Sequence, residues 1–262
     1  NTTIQDAVTA EMPEKNQPSG NDVAGKSALT EDVVRAMVLS AAYDEGPAAI
    51  EHLLDARGEK SYSSELFSRL GDFYLSQKRF RDSAQVFASY AKRYPADHLS
   101  PDFKQREIDA YNAGKFPADI REKKREFIAA YGVATSFWNN ARAEQREQLG
   151  SALDSYILEL ATYHHAMAQK LAAEKAKQQH TELAAQLPTS GAHNNSEAHF
   201  LLAANWYKEW LRSFTKDSRR VKHWRLLAET LLAIEQKREA IVAFEKSAYE
   251  FIGDFDQGLT QE

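Results

Sequence analysis

The 262-residue chain has no cysteine. That excludes disulfides, Cys-ligated zinc, iron–sulfur clusters and thiol catalysis. Proline and glycine are scarce, at 7 and 11 residues. Runs of β-branched residues are short, so little in the chain breaks a helix or favours a strand. No apolar stretch approaches the ~18 residues that span a bilayer. A basic excess is missing too: the formal net charge is −5, which argues against nucleic acid as the partner. No Gly-rich phosphate loop and no Gly-x-Ser-x-Gly elbow occurs.

Histidine does not fill the gap. The chain has 8 histidines, but none stand in a His-x-x-x-His pair. His164 and His165 are adjacent, so on a helix they point about 100° apart and cannot share a metal. His164 falls on an apolar stripe, where a hydrogen-bonded core histidine is the expectation. His193 and His199 flank a loop–helix junction without forming a metal motif. The carboxylates are spread along helix faces and do not converge. The expectation is no catalytic residue, no metal, no cofactor and no enzyme activity.

What is present is a helical hairpin at residues 67–95. Phe67, Leu70, Tyr74 and Phe87 recur at three- and four-residue steps, giving each of two helices one apolar stripe. Gly71 and Ser83 are small where the helices should cross. Gln77, Lys78 and Arg79 form a short polar turn, and Pro95 stops the second helix near Tyr94. One such hairpin cannot bury its own stripe, so neighbours must stack on it. A second copy follows, with Trp224, Leu227, Ala228 and Leu231 on one helix and Ala240 and Phe244 on the next. The interval from Gly71 to Ser83 equals that from Ala228 to Ala240.

Between and before them the signal is weaker. Residues 1–28 are polar and aperiodic and read as a disordered tail. Thr30 caps a helix carrying Val33, Val34, Met37, Val38 and Ala41. Pro47 starts the next, with Ala49, Ile50, Leu53 and Leu54 inward. A third hairpin begins at Ser100-Pro101, turns at residues 112–115 and ends at Gly132. The spacing from Phe116 to Phe127 reads as one turn too long. Phe137-Trp138 is expected to plug the groove beside that hairpin. From Ala143 to about Leu187 strong helix formers dominate, so one helix should overrun the stack as an arm. Its partner helix carries Ala203, Tyr207 and Trp210. Gly253 should close the last helix, and residues 254–262 form an acidic tail.

The hairpins at 67–95 and 224–251 resemble the tetratricopeptide repeat family, with Phe67 in the usual Trp place and Ser83 in the usual Ala place. The resemblance implies an all-α, right-handed α-solenoid of stacked hairpins over residues 29–253, with one extended helix. It also implies a non-enzymatic scaffold that holds a protein or peptide on a concave groove lined by first helices. The groove positions are Glu65, Asp72, Lys104, Tyr111, Thr162, His165, Arg225 and Glu229. An Asn pair needed for a chaperone-type carboxylate clamp is missing from them. A basic patch of Lys208, Arg212, Lys216, Arg219, Arg220 and Lys222 is a second candidate surface, for an acidic partner or an anionic surface. The alternative reading is a structural subunit docking through the long helix and this basic corner. Enzyme or metal-binding protein is the remaining class. The start at Asn1 and the polar leader-like stretch suggest a periplasmic or outer-membrane-associated protein with peripheral membrane or cell-wall association, and cytoplasmic is the alternative.

Overall fold

The computed structural model describes residues 20–185 and 195–250, with side chains described for 31–178 and 195–250. The described residues are all-helical without strand, and consecutive helices pack as neighbouring pairs in a solenoid-like manner. The chain divides into two compact units, Asn1–Phe127 and Ile128–Glu262.

The first unit contains α1 (Gly20–Tyr43), α2 (Pro47–Arg57), α3 (Ser63–Ser76), α4 (Phe80–Arg93), α5 (Ser100–Ala113) and α6 (Pro117–Tyr131) as far as Phe127. Helix α1 begins at Gly20, inside the stretch expected to be disordered, so Thr30 is not its cap. Gly46 takes a left-handed φ of 63° in the α1–α2 turn. A Cβ there would lie 3.1 Å from the Tyr74 hydroxyl, which itself donates to the Ala42 carbonyl. The core gathers Val34, Met37 and Ala41 of α1, Ile50 and Leu54 of α2, Phe67 and Leu70 of α3, and Phe87 and Tyr90 of α4.

The second unit holds the rest of α6, then α7 (Ser136–Asn140), α8 (Ala143–Ala185), α9 (Ser196–Ser213), α10 (Arg220–Ala233) and α11 (Lys237–Tyr249). Helix α8 runs for 43 residues. Leu149, Leu153, Ile157 and Leu160 form its buried stripe against Ala203, Tyr207 and Trp210 of α9. Phe137 and Trp138 are half-buried. Phe137 packs edge-on against Tyr131, and Trp138 sits 4.0 Å from where a Gly150 Cβ would stand.

Two loop designs recur and fix the alignment of the hairpins. In the first, the residue two past a first helix is left-handed: Lys78, Lys115 and Glu235 have φ of 59°, 58° and 58°. The next amide then bonds back to the carbonyl of Tyr74, Tyr111 or Leu231 at 2.9–3.0 Å. This closure satisfies helix-end carbonyls in the Schellman manner. In the second design, Asp97 and Asp217 accept from the amides of Leu99 and Arg219 at 2.7 and 2.8 Å, starting α5 and α10 alike.

This alignment corrects the third hairpin. Tyr111 matches Tyr74, so Phe127 takes the place of Tyr90 and there is no extra turn. The apolar pattern fails for another reason. Lys104, Glu107 and Lys124 stand where the second hairpin has Phe67, Leu70 and Phe87. Glu107 is 1% exposed and Lys124 8%, so charge is buried where the pattern expects rings and Leu.

Candidate interaction surfaces

First helices present the predicted groove residues, and each unit holds four of them. In the first unit Asp72 of α3 is exposed and pairs with Arg106 of α5 at 2.6 Å. Arg106 also donates to the Ser68 hydroxyl and lies 4.1 Å over the Phe87 ring. Glu65 is half-buried and pairs with Arg69 one turn on. Lys104 faces inward. Only 13% of its side chain is exposed, and its Nζ reaches Glu107 at 2.6 Å and Glu126 at 3.0 Å. Lys123 completes the network with Glu126 at 2.7 Å and Glu107 at 3.6 Å. Burial raises the Glu126 pKa, but bonds from Lys123 and Lys104 more than offset this and hold it low. Tyr111 is half-buried with its ring 6.3 Å from that of Phe116.

In the second unit Thr162 is exposed, with its hydroxyl on the Leu158 carbonyl at 2.7 Å. Arg225 and Glu229 are exposed and pair with each other at 3.2 Å. His165 is a core residue, 7% exposed. Its Nδ1 meets the Tyr207 hydroxyl at 3.2 Å and its Nε2 the Gln169 amide at 3.1 Å. Burial holds its pKa down, against the pull of Glu229. The satisfied core histidine is therefore His165 and not His164. The α8 stripe passes through Ala161 and Ala168, and His165 is a turn from each.

His164 is half-buried at the edge of the α8–α9 seam, with its Nδ1 2.8 Å from Nδ1 of His199. The ring centroids are 5.0 Å apart, which leaves the two nitrogens pointing almost head-on. That is the geometry of one shared proton: one Nδ1–H donates and the other nitrogen accepts. Among the described residues, no group of three or more His, Asp or Glu could hold a metal ion. His193 lies outside the described residues.

The basic corner is largely neutralised. Lys208 pairs with Glu239, Arg212 with Glu209, and Arg219 with both Asp217 and Asp154. Asp154 also accepts from the Trp210 indole at 2.6 Å. Arg220 is buried, caps the carbonyls of Leu211 and Phe214, and pairs with Glu250. Lys216 and Lys222 are exposed and make no ion pair with a described residue.

Two features escaped the sequence. One is the charged seam of Lys104, Glu107, Lys123 and Glu126. The other is the outer face of α11, where Ile241, Val242 and Phe244 are exposed. The arm was legible and is long. Among the side chains described, as far as residue 178, Ala168 is the last buried one of α8, while the helix continues to Ala185. Helix α9 starts at Ser196 and meets α8 through the His199–His164 and Phe200–His165 contacts.

No known protein family matches the chain, and no curated protein is significantly similar to it. Among the described residues, no helix is long and apolar enough to cross a membrane.

Proposed function

We propose that the chain is a non-enzymatic scaffold in which each unit offers its own first helices to an extended, polar segment of a partner protein, in the manner of tetratricopeptide repeat proteins. The observation that supports this is the repeated hairpin. One turn closure at Lys78, Lys115 and Glu235 sets α3, α5 and α10 in the same place within their hairpins. Each carries outward polar side chains at matching positions, Asp72 on α3 and Glu229 on α10 among them. Their pairing with Arg106 and Arg225 is exposed, so a partner can compete for it at little cost. Lys104 and His165 do not belong to such a surface, because both are held inside.

The test is a set of surface charge changes in the full chain. Asp72→Arg on α3 and Glu229→Arg on α10 should each weaken capture of the partner while leaving the melting temperature in place. Capture that ignores both changes counts against the reading. A bacterial envelope setting comes from the polar first 28 residues and the resemblance alone, and cell fractionation of the natural full-length protein tests it.

The second reading is a structural subunit that docks through the α8 arm. It draws on the length of α8 past Ala168. Cross-links from a bound partner to residues 170–178, with none to α3, α5 or α10, favour it over the groove.

A further inference from the structure

Among the described residues the same packing event occurs on α4 and on α9 and is not repeated on α11. After α4, the next helix lays a ring on it: Phe103 of α5 stacks on Tyr90 at 3.9 Å and lies 6.1 Å from Phe87. After α9, His223 of α10 does the same, 4.0 Å from Trp210 and 6.2 Å from Tyr207. The covered positions are sealed in both cases. Phe87 and Tyr207 are 0% and 1% exposed, and their neighbours one turn back, Ala84 and Ala204, are 0% and 1%. The matching positions of α11 are Phe244 and Ile241, and they are 40% and 58% exposed. Leu232 at the end of α10 adds a third exposed apolar side chain, at 51%. Only Ala240 and Ala243 of α11 are buried, the face it turns to α10.

We propose that α10–α11 is a docking face for one amphipathic α-helix of a partner protein, seated as α5 is seated on α3–α4. The occupant carries an aromatic ring facing Phe244 and Ile241 and a basic side chain about one turn later. The chemistry follows from the internal precedent. Phe103 supplies the ring in α5, and Arg106 then crosses Phe87 to reach Asp72. Glu229 occupies the place of Asp72 on α10 and is exposed. It is paired with Arg225 one turn back at 3.2 Å, an exposed pair that an incoming basic side chain can exchange at little cost. The exposed apolar side chains of α10–α11 together with this acid thus match an aromatic–basic helix better than an acidic one. The proposal rests on the scaffold reading's premise of a protein partner and shares Glu229 with the first-helix groove. Its apolar part, Ile241 and Phe244 on α11, lies outside that groove, so changes there and Asp72→Arg separate the two readings.

The probe is a fluorescent, side-chain-stapled peptide with the α5 sequence, residues 100–113, titrated against the full chain by polarisation. Saturable one-to-one binding is expected, weakened at least tenfold by Ile241→Glu or Phe244→Glu. A peptide with Phe103→Ala should lose binding to a similar degree. Both α11 positions are substantially exposed, and circular dichroism melts check that the variants fold. Should Phe244→Glu unfold, Ile241→Glu carries the test. No saturable binding, or binding indifferent to both substitutions, overturns the proposal. So does concentration-dependent dimerisation of the free chain that Ile241→Glu abolishes, since a second copy then owns the face. Strong hydrogen-exchange protection of the 241–249 amides in the free monomer, relieved by Ile241→Glu, also overturns it, because the chain then covers the face itself. Partner capture that survives both α11 changes but fails with Asp72→Arg would leave the groove reading standing and this one refuted.

Discussion

The Tyr207 hydroxyl and the His165 imidazole meet at 3.2 Å in the interior of the second unit. Burial pushes the Tyr207 hydroxyl up to about 12, helped by the Glu229 carboxylate. It therefore stays protonated at any physiological pH, and the bond depends on the state of the imidazole. A neutral His165 accepts at one ring nitrogen and donates at the other, which suits Tyr207 on one side and Gln169 on the other.

The second unit should lose stability in mild acid. Burial holds His165 below its usual value. Burial, joined by Arg219 and Lys222, does the same to His223. In the unfolded chain a histidine titrates near ~6.5. Above that value neither state binds the proton and the full stability is present. As the pH falls through it, the unfolded chain takes up protons that the folded chain resists, so stability declines. Thermal melts at successive pH values from neutral to mildly acidic should show a falling Tm. His165→Gln should flatten part of that slope, and an unchanged slope would assign the effect elsewhere.

Gly71→Ala should destabilise the first unit. An added Cβ would fall 2.0 Å from the Phe87 ring, and Phe87 is fully buried. Alanine is the better helix former by about 1 kcal/mol, but overpacking of this kind costs about 1–3 kcal/mol. A net loss near ~1 kcal/mol is expected in urea unfolding. Phe87→Leu in the Gly71→Ala background should recover part of it, since Leu vacates the ring edge. The last hairpin already holds Ala228 at the matching position, and there Phe244 is partly exposed. Stability equal to wild type for Gly71→Ala would mean that the ring shifts freely.

Residues 173–178 of the arm are exposed without exception. Ala173→Gly with Ala176→Gly should therefore lower helix content without moving the main melting transition. Each glycine costs a helix interior about 1 kcal/mol, and such a cost stays local where no core residue is engaged. A lowered main Tm would show that the arm is tied into the fold. If the partner docks on the arm, binding weakens in the same variant.

Local rules that also decide packing made most of the architecture legible. The stripe of Phe67, Leu70, Tyr74 and Phe87 fixed the second hairpin, and α4 stops at Arg93, just short of Pro95, as written. The absence of breakers from Ala143 onward gave α8. The misses share one cause: they depend on what lies across a seam. Whether His164 or His165 is the core residue turns on a helix phase that adjacent apolar residues leave open. The basic corner looks freer in sequence than it is, because beside the local Glu209 and Asp217 it draws on Asp154, Glu239 and Glu250 from far along the chain. Phe244 follows the buried pattern perfectly well and is exposed only because no described helix stacks on it. The end of α4 is a local event, whereas the neutralisation of Arg219 is a tertiary one.

The charged seam of the third hairpin offers the sharpest test of that contrast. Lys104 and Glu107 stand in the places of Phe67 and Leu70, and Glu107 is sealed at 1% exposure with Lys104 at 2.6 Å. Removing one member should be costly. Glu107→Ala leaves Lys104, 13% exposed, and Lys123 sharing the half-exposed Glu126 alone, and breaking a buried pair costs on the order of 3 kcal/mol. Replacing both members with the residues of the second hairpin should not. Lys104→Phe with Glu107→Leu removes both charges together, keeps Lys123 paired with Glu126, and restores the apolar stripe. Apolar replacement of a buried ion pair is often neutral or stabilising. The double variant should therefore unfold at a urea midpoint equal to or above wild type, while Glu107→Ala unfolds well below it. If both fall equally, the seam does more than the hairpin alignment assigns to it, and its charges serve something other than the packing of α5 on α6.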